Sequence, residues 1–134
     1  MHSPVQLESA SGMRQWIGIA LTGLVALFLA FDGVTKLIQI APVVEATKKL
    51  GLPPGSVVPI GLLLLACTAL YALPQTALLG AILLTGYLGG AAAIHVSARS
   101  GAFPIGFSIA FGVLAWAGLA LREPRLIRLI LLRE

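Results

Sequence analysis

The stretch LGLPPGSVVPIGLLLLACTALYALPQTALLGAILLTGYLGGAAAIHVSA, residues 50–98, contains no Asp, Glu, Lys or Arg. A water-soluble domain of 134 residues is mostly surface, and it cannot leave so long a segment without charge. The whole chain is 58% hydrophobic and 10% charged, whereas ordinary soluble proteins carry roughly 25% charged residues. The segment therefore indicates a protein that spans a membrane.

The expected fold class is all-α, because the apolar segments lack the alternation of polar and apolar residues that a membrane barrel needs. We predict an integral membrane four-helix bundle, with a short interfacial helix after the first span and a basic interfacial C-terminal segment. The predicted spans cover about residues 14–38, 56–73, 75–96 and 103–121. The predicted domains are a polar tail (1–13), the transmembrane domain (14–121) and a basic amphipathic tail (122–134).

The balance of positive charge between the two sides predicts the topology. Four spans place both termini on one side, together with Arg14 and the arginines of the C-terminal segment. The opposite side carries Lys48, Lys49 and Arg99. The positive-inside rule then favours cytoplasmic termini. The cations lie at helix ends and tails, so the net charge of +4 predicts contact with the lipid bilayer and no nucleic-acid partner.

Ionisable groups inside apolar segments are the first candidates for function. The first and third spans run in the same direction, so Asp32 and Lys36 gather with His95 at one membrane face. Asp32 and Lys36 are four residues apart and can form an ion pair on one helix face. Asp32 and His95 are candidate catalytic residues in a polar pocket. The alternative is structural: a self-neutralised pair, and a histidine bonded to a backbone carbonyl.

Further candidates for ligand binding are Lys36, Tyr87, Gly90, Arg99 and Trp116. The aromatic rings could stack on a planar ligand, although such rings more often pack between helices. Gly90 also forms a G-x-x-x-G pair with Gly86, which predicts close helix packing within the chain. One histidine and one aspartate are too few for a closed metal site, so no metal is expected.

Three segments of the chain resemble one family of small bacterial membrane proteins. They are Ala77–His95 (ALLGAILLTGYLGGAAAIH), Phe31–Leu37 (FDGVTKL) and Leu121–Leu126 (LREPRL), and they resemble the DoxX-like family. The matching positions are Asp32, Gly33, Lys36, Leu37, Gly86, Tyr87, Gly89, Gly90 and His95. The resemblance implies a four-helix protein of the bacterial cytoplasmic membrane. It also implies a subunit that serves a redox partner, because the wider group is linked to quinone reduction, thiosulfate oxidation and oxidative-stress complexes.

Three functions follow as hypotheses. The first is a redox-linked membrane subunit that binds a quinone-like or other lipophilic ligand between the first and third spans, without a resident cofactor. The second is a self-contained membrane enzyme, similar to an isomerase, that uses Asp32 and His95 as an acid–base pair. The third is a scaffold or small transporter. Self-association into a homo-oligomer is left open. The lone cysteine, Cys67, allows no disulfide or dithiol within the chain.

Overall fold

The protein is a bundle of helices without strands in the part of the chain that the computed structural model describes, residues 4–131. The helices are α1 (Pro4–Leu37), α2 (Ala41–Lys49), α3 (Val57–Ala72), α4 (Ala77–Ser97), α5 (Ala102–Arg122) and α6 (Pro124–Leu131). Single 3-10 turns, Pro54–Ser56 and Pro74–Thr76, lead into α3 and α4. The predicted all-α class is confirmed, and the short helix after the first span is α2.

Within residues 4–131, three segments are long and apolar enough to cross a membrane: Gly12–Leu37 in α1, Pro74–Ser97, and Ala102–Arg122. The remaining helix of the bundle, α3, is apolar but has only 16 residues. At 1.5 Å per residue it is about 24 Å long, somewhat shorter than a typical hydrocarbon core of about 30 Å. The turn at Pro54–Ser56 extends it at its N-terminal end. The chain is thus a small integral membrane protein.

The first helix begins earlier than predicted. The sequence predicts a start at about Arg14, after a polar tail, but α1 begins at Pro4. Proline is well tolerated at the first helical position, because its missing N–H has no partner there in any case. No further proline interrupts residues 5–13. The polarity of this segment does not prevent it from continuing the helix.

The four long helices form a closed ring in the order α1, α3, α4, α5. Each of them packs against its two neighbours in that ring, so α1 and α4 lie on one diagonal and α3 and α5 on the other. Successive long helices run antiparallel, and α1 and α4 therefore point in the same direction. The end of the bundle that holds the C-termini of α1 and α4, together with α2, is called the α2 end below. The opposite end carries α6 and is called the α6 end.

The core between these helices is built from aliphatic residues and one buried tyrosine. Its largest fully buried side chains are Tyr71, Leu64, Leu84, Leu119 and Val25. Glycines set the closest approaches. A Cβ atom on Gly80 of α4 would collide with the backbone of Tyr71 on α3, and one on Gly118 of α5 would lie 2.8 Å from the Thr22 hydroxyl oxygen on α1. Small residues of this kind let helix backbones pack closely in lipid.

Candidate functional site

A pocket of about 620 Å³ opens between the diagonal helices α1 and α4 at the α2 end. Because α1 and α4 are not packed against each other, the space between their C-terminal halves is left for other groups. On α1 the pocket extends from Phe28 to Lys36, and on α4 from Gly86 to His95. Between their end residues these segments rise by eight and nine steps along the helix, which correspond to about 12–14 Å. The pocket therefore reaches roughly halfway into a hydrocarbon core of about 30 Å.

The α1 wall of the pocket carries an ion pair. The Lys36 ammonium nitrogen lies 2.7 Å from the Oδ2 atom of Asp32, one helical turn away. The Lys36 side chain is 16% exposed and that of Asp32 is 37% exposed, so the carboxylate is the more accessible partner. Behind the pair, α1 meets α3 closely: a Cβ atom on Gly61 would lie 2.8 Å from the Lys36 Cβ. This contact places the pair next to the close packing of α1 on α3.

The α4 wall is formed largely by small residues. Gly86 and Gly90 both line the pocket, and a Cβ atom added to either would meet nothing within 4 Å. The prediction that this G-x-x-x-G pair packs against another helix of the chain is therefore wrong. The reason is the ring order: the pair faces α1 across the diagonal, where the two helices are separated by the pocket. The glycines keep the pocket wide.

His95 and Tyr87 add polar groups to the same wall. Both residues line the pocket and are half-buried. The Nδ1 atom of His95 is buried, and no hydrogen-bond partner for it is found among the residues that the structure describes. The alternative for this histidine is a structural hydrogen bond to a backbone carbonyl, and Nδ1 does not form that bond in the described part of the chain. A buried nitrogen without a partner costs free energy, and a ligand that supplies a hydrogen-bond partner removes this cost.

The α5 wall is a row of phenylalanine rings that the sequence analysis overlooked. Phe103, Phe107 and Phe111 follow one another at intervals of four residues, with ring centroids 5.8 and 4.8 Å apart. Phe28 of α1 joins the row, with its centroid 4.6 Å from that of Phe111. The spacing F-x-x-x-F-x-x-x-F is visible in the sequence and places three rings on one helix face. All four rings line the pocket.

The short helix α2 covers the pocket at the bundle end. Its apolar side contributes Val43 and Ala46 to the lining, and Leu50 adds to it directly after the helix, while Glu45, Lys48 and Lys49 are exposed. Thr47 also lines the pocket, and its hydroxyl donates to the carbonyl oxygen of Val43 within the helix over 2.9 Å. That bond leaves the α2 side of the pocket largely apolar.

Two of the candidate residues lie elsewhere. Arg99 is exposed in the turn after α4, with a φ of 55°, and does not line the pocket. Trp116 lies on the outer side of α4 and α5, where its indole N–H donates to the Thr85 hydroxyl over 2.6 Å. The pocket therefore brings together Asp32, Lys36, Tyr87, Gly90 and His95, and it leaves out Arg99 and Trp116. Within residues 4–131, no three His, Cys, Asp or Glu side chains are grouped as a metal site requires.

Comparison with known proteins identifies the family of this chain. No curated protein sequence and no solved structure gives a significant match. The model of the DoxX-like family matches residues 20–118, which include the C-terminal half of α1, all of α2, α3 and α4, and most of α5. The matched segment contains every residue that lines the α1–α4 pocket. On this match the chain belongs to the DoxX-like family.

Proposed function

We propose that this protein is a membrane subunit that binds a quinone-like molecule in the α1–α4 pocket for a redox partner protein. The observation that carries the proposal is the composition of the pocket, in which a row of aromatic rings faces an ion pair and an unpartnered histidine nitrogen. Ligand pockets are typically apolar with a few convergent polar groups. A quinone has the matching chemistry, because a flat apolar ring carries two polar oxygens.

The aromatic row supports the choice of a planar ring. The rings of Phe28, Phe107 and Phe111 have centroids 4.6–5.5 Å apart, within the range at which aromatic groups stack favourably. The opposite wall has no side chains at Gly86 and Gly90. A flat ring could enter between the two walls, and an isoprenoid tail would leave the pocket towards lipid.

The polar groups support both redox forms of such a ligand. The carbonyl oxygens of a quinone accept hydrogen bonds, which the Lys36 ammonium and a His95 ring N–H can donate. The hydroxyl groups of the reduced quinol donate hydrogen bonds, which the Asp32 carboxylate can accept. Reduction takes up two electrons and two protons. The proposal assigns the electrons to a partner with its own redox cofactor, and the protons to the polar groups of the pocket.

A partner is part of the proposal because of the cysteine count. Cys67 is the single cysteine, and it is buried in the core. Transfer of electrons from a dithiol needs two thiols that become one disulfide, so both thiols would have to come from a second protein. We also propose that the protein lies in the bacterial cytoplasmic membrane, with both termini in the cytoplasm.

The alternative of a self-contained acid–base enzyme rests on the same pocket, since both Asp32 and His95 line it. The ion pair with Lys36 favours a binding role, because it occupies one oxygen of the carboxylate that would act as the base. Turnover of a lipophilic substrate by the purified chain alone would favour the enzyme instead. If Asp32→Asn and His95→Ala alter yield or melting but no ligand response exists, the scaffold or transporter hypothesis is the better one.

Thermal unfolding of the detergent-purified protein with decylubiquinone, a short-chain benzoquinone, tests the proposal. The quinone should raise the melting temperature of the wild type. Gly90→Leu fills the pocket and should abolish this shift, whereas Gly106→Leu should keep it. Gly106 is the matched control, because it is also a helical glycine with open space around its Cβ position but lines no described pocket.

His95→Ala should weaken quinone binding about tenfold, the loss expected for one buried hydrogen bond. Asp32→Asn should weaken binding of the quinol more than that of the quinone, because an amide accepts less strongly than a carboxylate. The proposal is overturned if the Gly90→Leu protein keeps the full quinone response, or if the wild type shows none.

A further inference from the structure

A second cavity, of about 640 Å³, runs along the outer side of α4 and α5 and is separate from the α1–α4 pocket. It is lined almost entirely by apolar and small residues: Thr85, Leu88 and Gly89 of α4; Ser108, Ile109, Gly112, Val113, Trp116, Ala117 and Ala120 of α5; and Ile130 and Leu131 of α6. This cavity is called the α4–α5 groove below. It lies on the outside of the four-helix ring, and of the candidate residues from the sequence only Trp116 lines it.

The groove has the length of one lipid leaflet. On α5 it extends from Ser108 to Ala120, which is about 18 Å of helix. Half of a hydrocarbon core of about 30 Å is about 15 Å. Ser108 lies about 6 Å on the N-terminal side of Gly112, the midpoint of α5, and Ala120 lies near the C-terminal end of the helix. The groove thus runs from slightly beyond the middle of α5 to the α6 end, a path that suits an acyl chain of that leaflet.

The width of the groove favours a lipid chain over a protein helix. A volume of about 640 Å³ spread over about 18 Å leaves a mean cross-section of roughly 36 Å². A helix with its side chains is about 10 Å across and needs roughly 80 Å². Gly89 keeps the groove open, because a Cβ atom there would meet nothing within 4 Å. This mean cross-section suits a single acyl chain and is less than half of what a whole helix occupies.

Positive charge lies at the end of the groove where a headgroup would be. Ile130 and Leu131 close the groove at the α6 end, and the same short helix exposes Arg125 and Arg128. Leu126 packs against the core of the bundle, which fixes α6 beside the end of α5. Basic residues at this level of a membrane attract anionic headgroups. A molecule with an anionic headgroup and an apolar chain therefore matches the arginines at one end and the groove at the other.

Trp116 gives the groove a fixed wall. Its indole N–H is bonded to the Thr85 hydroxyl, and that hydroxyl donates to the Ala81 carbonyl oxygen over 2.8 Å. Both residues line the groove. The bond satisfies the polar atom of the indole and leaves its apolar ring towards the groove. Trp116, a candidate for stacking on a planar ligand, is thereby placed on the wall of the α4–α5 groove.

We infer that the protein binds an anionic phospholipid, with one acyl chain in the α4–α5 groove and its phosphate beside Arg125 and Arg128. The inference does not depend on quinone binding, since the groove shares only Leu88 and Ser108 with the α1–α4 pocket. The recognised chemistry is a headgroup of net negative charge joined to a long hydrocarbon chain. A free headgroup would satisfy only the arginines, and an uncharged or zwitterionic lipid would satisfy only the groove.

The test measures thermal unfolding of the detergent-purified protein with three additives: dioleoylphosphatidylglycerol, dioleoylphosphatidylcholine and the chain-free headgroup glycerophosphoglycerol. Phosphatidylglycerol should raise the melting temperature of the wild type, and the other two should raise it little. Gly89→Leu fills the groove and should abolish the effect. Gly90→Leu, the adjacent substitution, faces the other pocket and should preserve it.

Arg125→Gln/Arg128→Gln should weaken phosphatidylglycerol binding about thirtyfold, the effect of two basic residues near an anionic surface. Lys48→Gln/Lys49→Gln, which removes two exposed cations at the α2 end, should leave it unchanged. The inference is overturned if phosphatidylcholine stabilises the wild type equally, if the free headgroup suffices, or if Gly89→Leu binds as the wild type does. Loss of the quinone response in Gly90→Leu, with the lipid response kept, would separate the two sites.

Discussion

The hydroxyl group of Tyr71 donates a hydrogen bond to the backbone carbonyl of Ala115 over 2.7 Å, and this bond joins α3 to α5 across the diagonal of the bundle. The ring is fully buried. Arg122, at the end of α5, also donates to the Tyr71 carbonyl over 3.2 Å. Both bonds lie at the α6 end, away from the pocket. They keep that end of the bundle closed while the α2 end remains open.

Tyr71→Phe should therefore destabilise the protein by about 1 kcal/mol, the net value of one hydrogen bond between neutral groups in a protein or membrane interior. Unfolding by SDS in mixed micelles measures the change. Tyr87→Phe is the matched control, because the Tyr87 side chain lines the open pocket and should cost much less. Equal losses of stability in the two variants would show that the hydrogen bond between Tyr71 and Ala115 does not stabilise the bundle.

The glycines of α4 should differ sharply in their tolerance of a methyl group. Gly80→Ala places a Cβ against the backbone of Tyr71, so α3 and α4 must separate, and we expect a loss of about 2 kcal/mol or more. Gly86→Ala meets nothing within 4 Å and should be neutral or slightly stabilising, because alanine is the better helix former. Melting temperatures of the two variants in the same detergent give the comparison. A neutral Gly80→Ala protein would contradict the close helix contact.

Much of the fold follows from the sequence, because charge and hydropathy act locally. The uncharged stretch predicts membrane spans, and the prolines and glycines predict where they end. The common direction of the first and third spans also predicts that Asp32 and His95 lie at the same end of the bundle. The structure places both residues on one pocket.

The shape of the pocket depends on which helix faces pack together. For helices in lipid, the sequence pattern gives little indication of these faces. A helix in water buries its apolar face, but α3 and α4 are apolar on all sides, and lipid is as apolar as the core. The diagonal position of α1 and α4, and the open space at Gly86 and Gly90, could therefore not be read from the pattern. The phenylalanine row of α5 could have been found by its spacing, although the same spacing also suits a lipid-facing surface.

Removal of one partner of the Asp32–Lys36 pair should cost more stability than removal of both. In Asp32→Asn the ammonium of Lys36, whose side chain is only 16% exposed, loses its counter-ion inside an apolar wall. We expect a loss of about 1–3 kcal/mol, between the values for exposed and for buried ion pairs. The double variant Asp32→Asn/Lys36→Met should recover part of this loss. SDS unfolding of the single and double variants as a thermodynamic cycle measures the coupling, and additive losses would indicate that the pair is not coupled.

The end of α2 should depend on the left-handed backbone of Gly51, which follows the helix with a φ of 80°. Gly51→Ala forces a side chain into this conformation and should destabilise the end of α2 locally by about 1 kcal/mol. Amide hydrogen exchange should then become faster in residues 41–50 and stay unchanged in α3. Gly55→Ala is the control, since the φ of Gly55 is not positive and the space around its Cβ position is open.

Because α2 covers the pocket, faster exchange should be accompanied by faster entry of a quinone. Faster exchange that leaves entry unchanged would mean that the ligand enters from the lipid side.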